Sequence, residues 1–402
     1  MLVYPIRLHN NEQALGLLKS IDVEPYALDI LSPKSRQQNI LLKSVKTSWA
    51  NIIKQEMLSC GGDAAISRSS YACLEKFTDV LLMGSESVIQ KFVSKMKSQP
   101  CCFSSIVEPL EKIIGKNTKI LEIGNKTFDL SKDFILLGIL NVTPDSFSDG
   151  GKFNDYDSAM KQAEFLLKNG ADILDIGGES TKPSSVTVSA EQELERVMPI
   201  IEAVKKNFNS LISVDTYKPE VIKASLSAGA NLINDVSGGQ GVFSTATEIV
   251  AHGASAIVMM NLNKDGHVGS TTENKLNDPI GTFFDFCVSK TTELSEKGVL
   301  DKRLIFDPGI GFGLSDTDIN TVLKNMYSFT ASNIPVCVGI SRKSYIGRKT
   351  GLEPGERDAV ANAISLSLMG QGVRIFRTHD TKGLSDIVKF YKSIQGDLDS
   401  GV

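Results

Sequence analysis

Of eight short apolar runs in the second part of the chain, seven end in or carry residues able to do chemistry, the exception being ASAIVMM (254–260). Asn141 follows FILLGIL (134–140), and Asp175 lies inside ADILDIG (171–177), whose end opens into GGESTKP. Asp215 ends LISVD (211–215), and Asn234 and Asp235 end NLIND (231–235). Asp307 ends RLIFD (303–307) and is followed by PGIGFG. Ser341 closes PVCVGIS (335–341), with Arg342 and Lys343 next, and Arg377, His379 and Asp380 close VRIFRTHD (373–380). One aspartate after a strand is commonplace, because it caps the next helix. Polar or charged residues at nearly every run end exceed what capping requires. A carboxylate within an apolar run, such as Asp175, would be costly if it had no partner.

These residues suit two kinds of ligand group. Several Asp and Asn side chains, with Lys343, offer acceptors and donors to a flat polar heterocycle. An aminopyrimidinone edge, as in guanine or pterin, presents NH and NH₂ side by side, and one carboxylate accepts both. Asn141, Arg377 and His379 form a second group, suited to an anionic leaving group such as diphosphate, with Mg²⁺ as a companion. The glycines of GGES and DPGIGFG let backbone approach a planar ligand. ILNVTPDSFSDGGKF (139–153) is too long and polar for a plain connection and reads as a loop that closes over something. No Ser-His-Asp set or cysteine nucleophile is evident.

The elements that must position these groups alternate. Between the apolar runs lie helical stretches such as DYDSAMKQAEFLLKNG, SAEQELERVMPIIEAVKKN, KPEVIKASLSAG and ERDAVANAISLSLMGQG, several closing with Gly. Eight strands in about 270 residues match the size of an α/β fold of the (β/α)8 TIM barrel type. An open doubly wound sheet is the alternative, disfavoured by the count of eight and the lack of GxGxxG. In a closed parallel barrel all eight strand ends open on one face. Residues 1–130 read as a smaller α/β (α+β) domain of unassigned role, and 131–402 as the barrel. The first part predicts a helix over 44–59, a helix stop at Gly61-Gly62 before a strand, a strand at 78–84 leading into a helix over 85–98, and a hairpin over 119–131 turning at Gly124-Asn125.

Bulk properties exclude several classes. With 402 residues, 41% hydrophobic and 22% charged, the chain can bury a large core. A net charge of −4 without a long basic block argues against a nucleic-acid surface. Six cysteines without a CxxC pair, and four histidines, give no zinc pattern. Cys287 and Cys337 read as buried thiols, which fits a reduced, cytoplasmic setting. The N-terminus has no signal-peptide core. No apolar stretch approaches the roughly 20 residues of a membrane helix.

The motifs ILNVTPDSFSDGGKF, DIGGESTKP, SVDTYKPEV, LINDVSGG, DPGIGFG, VGISRKSYIG and RTHD, in this order, resemble the dihydropteroate synthase family from about Phe134 onward. The resemblance implies a pterin-binding barrel that condenses 6-hydroxymethyl-7,8-dihydropterin diphosphate with 4-aminobenzoate, the step of folate synthesis with which sulfonamides compete. It implies that Asp215, Asn234, Asp307 and Lys343 hydrogen-bond the pterin. Asn141, Arg377 and His379 would bind diphosphate, with Asn141 also a Mg²⁺ ligand. Thr181, with Ser180 and Pro183, would frame the aminobenzoate, and Ser344 would lie near its carboxylate. Asp215 would set a negative field beside the developing cation. The loop after Asn141, with Asp149, would be a mobile lid, and a homodimer is implied. Three positions depart from the family pattern: Lys182 for arginine, Leu314 for lysine and Met260 for histidine. Asp265 and His267 fall in a long polar stretch, 262–277. A pterin-dependent methyltransferase-type barrel is one alternative, disfavoured by the lid, SRKS and RTHD motifs together, and a non-catalytic pterin-binding protein is the other, disfavoured by the presence of all the expected site residues.

Overall fold

The structure is a computed structural model. It describes the chain except for residues 2, 5, 7, 9, 10, 72, 73, 100–102, 116–118, 144–150, 180–186, 264–274 and 397–402, and the side chains of 71 and 151–155. Two compact units are present, Met1–Asn117 with Lys392–Val402, and Thr118–Tyr391. In the first, strands β1 (Gln37–Lys46), β2 (Asp63–Ile66) and β3 (Phe77–Ser85) form an antiparallel sheet in the order β1-β3-β2. Alternate residues of β3 are buried, as a half-covered strand requires. Val80 and Leu82 pack against Ile53 and Met57 of the helix Thr47–Ser59 and against Ile89 and Phe92 of the helix Glu86–Lys97. Both helices and the strand between Phe77 and Ser85 fall where the hydrophobic spacing places them.

The hairpin β4 (Ile120–Ile123) and β5 (Lys126–Asp129) turns at Gly124, which takes φ +57°. It belongs to the second unit, so the sequence-based boundary at residue 130 is too late. The reason is packing: Leu121, Ile123 and Leu130 join one apolar cluster with residues inside the barrel.

That barrel consists of β6 (Ile135–Asn141), β7 (Ile173–Gly177), β8 (Leu211–Asp215), β9 (Leu232–Asp235), β10 (Ser255–Met259), β11 (Leu304–Asp307), β12 (Cys337–Val338) and β13 (Ile375–Thr378). All pair in parallel, in the order β11-β10-β9-β8-β7-β6-β13-β12. A parallel bridge between Phe306 and Val336 joins the two ends, and the Phe306 N–H donates to the Pro335 carbonyl at 2.9 Å. The fold is the (β/α)8 barrel expected from the alternation.

Each strand is buried on both faces, which is why the runs read as continuously apolar. The outward residues, such as Leu174, Ile176, Ile212 and Val214, pack against helices that include Ala190–Asn207 and Pro219–Ser227. The inward residues Ile173, Leu211, Leu232, Ile257, Ile305 and Ile375 form an apolar floor with the hairpin. Among the described residues no helix is long and apolar enough to cross a membrane.

Candidate active site

Two residues along from the apolar floor, the inward positions turn polar. Strand geometry returns every second side chain to the same face. Ile173 is therefore followed inward by Asp175, Leu211 by Ser213 and Asp215, Leu232 by Asn234, Ile305 by Asp307, and Ile375 by Arg377. Asp175 is fully buried and Asp215 and Asp307 nearly so. The register sets Asp175 beside Ser213, Gly177 beside Asp215, and Asp215 beside Asn234.

Arg377 balances two of the carboxylates. Its Nε–H donates to Asp175 Oδ2, and its Nη2–H donates to Asp215 Oδ2 at 2.5 Å. Asp175 also accepts from the Ser213 hydroxyl at 2.6 Å and from Asn234 Nδ2 at 3.5 Å. Burial opposes the charge on Arg377, but Asp175 and Asp215 more than offset this and hold the guanidinium above its usual range. Burial pushes the Asp215 carboxyl up to about 7; Arg377 and Lys343 pull it down, while Asp175 and Glu193 add to the rise.

Asp307 is likewise raised by burial, against the pull of Lys343, the Gly309 N–H and Arg377. Its Oδ1 accepts from that N–H at 2.7 Å. Gly309 has φ +72°, and a Cβ there would sit 1.8 Å from the Met260 carbonyl oxygen, so the turn after Asp307 needs glycine. Lys343 donates from Nζ to the Ile310 carbonyl, and its ammonium lies 4.9 Å from the centre of the Phe312 ring. Burial of that end pushes its pKa down to about 8, against the opposing pull of Asp307. Gly339 leaves a gap here: a Cβ would meet Asp307 Oδ2 at 3.9 Å and Arg377 Cβ at 3.7 Å.

At the rim, Asn141 is half-buried at the end of β6, and a Cβ on Gly177 would meet its Oδ1 at 3.6 Å and Asp215 Cβ at 3.5 Å. Ser341 Oγ lies 3.0 Å from His379 Nδ1 and accepts from the His379 N–H at 3.2 Å. Ser344 is exposed, and its hydroxyl accepts from Arg348 Nη1 at 3.1 Å.

The structure thus gathers Asp215, Asn234, Asp307, Lys343 and Arg377 in one polar layer, with Asn141 and His379 on the strand-end side of it. Thr181, Ser180, Pro183, Lys182, Asp149, Asp265 and His267 lie outside the described residues. Two strand-end aspartates are helix caps. Asp235 accepts from the Ser237 and Val242 N–H groups, and Asp380 from the Gly383 N–H and Asn362 Nδ2. Asp175 stands apart in the sequence as a carboxylate in an apolar run, yet neither the ligand groups nor the resemblance gives it a role. Its spacing of two from Ile173 carried the signal. Two departures from the family pattern, Met260 and Leu314, are buried among apolar side chains. Among the described residues no three His, Cys, Asp or Glu gather to hold a metal ion.

The family described as pterin binding enzyme matches residues 137–379. A dihydropteroate synthase of Clostridium beijerinckii is 38% identical over 262 residues, 65% of this chain and 94% of that one. A probable bifunctional folylpolyglutamate synthase/dihydropteroate synthase of Haloferax volcanii is 32% identical over 350 residues. That match spans 84% of this chain, more than the barrel unit occupies, and 41% of the Haloferax protein. The solved Xanthomonas albilineans dihydropteroate synthase with 4-aminobenzoic acid superposes with a TM-score of 0.63 at 33% identity, over 69% of this chain and 99% of that one.

Proposed function

The chain belongs to the pterin binding enzyme family, among its dihydropteroate synthases, and from that premise we propose how its own residues do the work. The reaction joins 6-hydroxymethyl-7,8-dihydropterin diphosphate to 4-aminobenzoate and gives 7,8-dihydropteroate and diphosphate. The carrying observation is the polar layer above an apolar floor, with three buried carboxylates held among Arg377, Lys343 and Asn234.

Asp307 takes the NH and NH₂ of the pterin's pyrimidine edge. Asn234 and Lys343 complete the hydrogen bonds to the ring. The diphosphate departs with the electron pair of its bond to the exocyclic carbon, and the electron-rich dihydropterin shares the resulting positive charge. Asp215 faces that charge as a fixed carboxylate, preorganised by Arg377. The amine lone pair of 4-aminobenzoate then forms the new C–N bond and releases one proton to water. Arg377 spends Nε and Nη2 on Asp175 and Asp215, which leaves the Nη1 protons for the leaving group, beside His379 and Asn141. Thr181 and Ser344 serve the aminobenzoate side.

Asn141 suits magnesium. Its amide oxygen is a hard donor at the rim, and magnesium is commonly held by few protein oxygens together with substrate phosphates. Bound there, the ion would neutralise charge on the departing diphosphate. We also propose a homodimer, as the resemblance implies, which sedimentation mass decides. A reducing, cytoplasmic setting is supported by the buried free thiols of Cys287 and Cys337.

The test supplies the purified chain with the dihydropterin diphosphate, 4-aminobenzoate and Mg²⁺ and follows dihydropteroate and diphosphate together. Equal appearance of both supports the reading. Tight pterin binding without either product contradicts it.

A further inference from the structure

A second charged bridge joins the segments that follow β7 and β8, beyond the one made by Arg377. Lys218 follows Asp215 by three residues, and its Nζ donates to Glu179 Oε2 and to Glu193 Oε2, each at 2.5 Å. Glu179 follows Gly177 by two residues at the end of β7. Glu193 stands on the helix Ala190–Asn207, and its side chain is 1% exposed. Its other oxygen, Oε1, has no hydrogen-bond partner among the described residues. The three side chains form a largely buried triad of two carboxylates and one ammonium, with Glu193 inside and Lys218 and Glu179 half-buried. Burial opposes the Lys218 charge, but the two carboxylates outweigh it and raise its pKa.

Such a triad is costly, and replacing one with apolar residues is often neutral or stabilising. Its place here suggests what it is kept for. The same helix grips the turn again one turn later, where Arg196 Nη1 donates to the Gly178 carbonyl at 2.8 Å. Gly178 packs so close that a Cβ would meet Glu193 Cγ at 2.9 Å and Val197 Cγ1 at 2.8 Å. The turn so held begins at Gly177, the register partner of Asp215 and the residue between Asp215 and Asn141. On the β8 side, the Lys218 N–H donates to Thr216 Oγ1 at 3.3 Å, and the Thr216 N–H donates to the Asn234 carbonyl at 3.1 Å. Glu179, Lys218 and Glu193 thus tie the segment that follows Asp215 and the neighbouring turn after Gly177 to one external helix.

We propose that Lys218, clamped between Glu179 and Glu193, is a positioning residue that fixes Asp215 in the orientation the reaction requires. The proposal rests on the role given to Asp215 above. Lys218 touches neither substrate in this scheme; it acts by holding the segment that follows the carboxylate against the turn after Gly177. Small displacements of such a group are expensive in rate, because preorganised charge is effective only where it is aimed.

The test uses Glu179→Gln as its main variant, since Lys218 keeps Glu193 as counter-charge and the fold is retained. Lys218→Met and Lys218→Arg accompany it, and each is also made with Asp215→Asn. Glu179→Gln should lower kcat about tenfold while KM for both substrates and the melting temperature hold, as expected when only transition-state stabilisation is lost. Lys218→Arg should recover much of the activity that Lys218→Met loses. In the Asp215→Asn background the further loss from Glu179→Gln should vanish, because the two act as a unit. A full additional tenfold loss there, or unchanged kcat in Glu179→Gln, would overturn the proposal. Wild-type enzyme that makes no dihydropteroate would instead overturn the functional reading beneath it.

Discussion

Arg377 Nη2 lies 2.5 Å from Asp215 Oδ2, so the carboxylate assigned to the developing cation is already oriented before substrate arrives. The same guanidinium holds Asp175, which sits entirely inside the barrel. One arginine thereby pairs with two buried carboxylates from adjacent strands.

Removing Asp175 should therefore cost stability as well as rate. Asp175→Ala leaves Arg377 with a single carboxylate and Ser213 without its acceptor, and breaking a buried ion pair in this way costs about 3–5 kcal/mol. Asp175→Asn keeps the shape and hydrogen-bonding capacity and should cost less. Urea unfolding of the two variants checks the order; an alanine variant as stable as wild type contradicts it.

The pH dependence should be a narrow bell. Asp215, raised to about 7 by burial, acts as the carboxylate, so kcat/KM falls as pH drops through that value. Lys343, lowered to about 8 by burial, acts as the ammonium, so kcat/KM falls as pH rises through that value. The free enzyme's groups set this profile. Lys343→Arg should remove the alkaline limb, since a guanidinium does not titrate in this range. A flat profile from pH 6 to 9 in wild type would contradict both assignments.

Ser341→Ala should act on the leaving-group side. The Ser341 hydroxyl meets both the ring and the backbone N–H of His379. Its loss should weaken diphosphate as a product inhibitor about three- to tenfold, the worth of one net hydrogen bond, with little change in melting temperature. Titration with diphosphate and Mg²⁺ measures it, and unchanged inhibition contradicts the proposed place of His379.

Gly309→Ala tests the turn behind Asp307. Its Cβ would fall 1.8 Å from the Met260 carbonyl oxygen, at a φ of +72° that disfavours any side chain. The turn must shift, and the N–H bond that supports Asp307 shifts with it. Pterin affinity should fall at least tenfold, by about 1.4 kcal/mol or more. Affinity equal to wild type would show that Asp307 does not depend on this turn.

Much of this was legible in the sequence, for a physical reason. Parallel strands buried on both faces leave continuous apolar runs, and glycine and polar clusters separate them, so all eight strands could be placed. The strand over 335–341 shrinks to Cys337–Val338, and at its start Pro335 has no N–H to give the ladder. The hairpin was found but placed with the wrong unit, because only packing shows Leu121 and Ile123 closing the barrel floor. Among strand-end aspartates, sequence cannot separate Asp235 and Asp380, which cap helices, from Asp215 and Asp307, which face inward. Counting by two from the floor residues does so, and it places Asp175 on the inward face as well. The pairing of Arg377 with Asp175 joins residues 202 apart in sequence, and no local pattern encodes it.

The most direct measurement of the central claim is product formation by wild type, Asp215→Asn and Lys343→Ala under saturating dihydropterin diphosphate, 4-aminobenzoate and Mg²⁺. The account predicts dihydropteroate and diphosphate in equal amounts from wild type. It predicts a loss of about a hundredfold or more in kcat for Asp215→Asn, the scale of removing one preorganised electrostatic group, with the pterin still bound. Lys343→Ala should lose pterin affinity as well. Undiminished turnover by Asp215→Asn would contradict the assignment of that carboxylate to the developing cation.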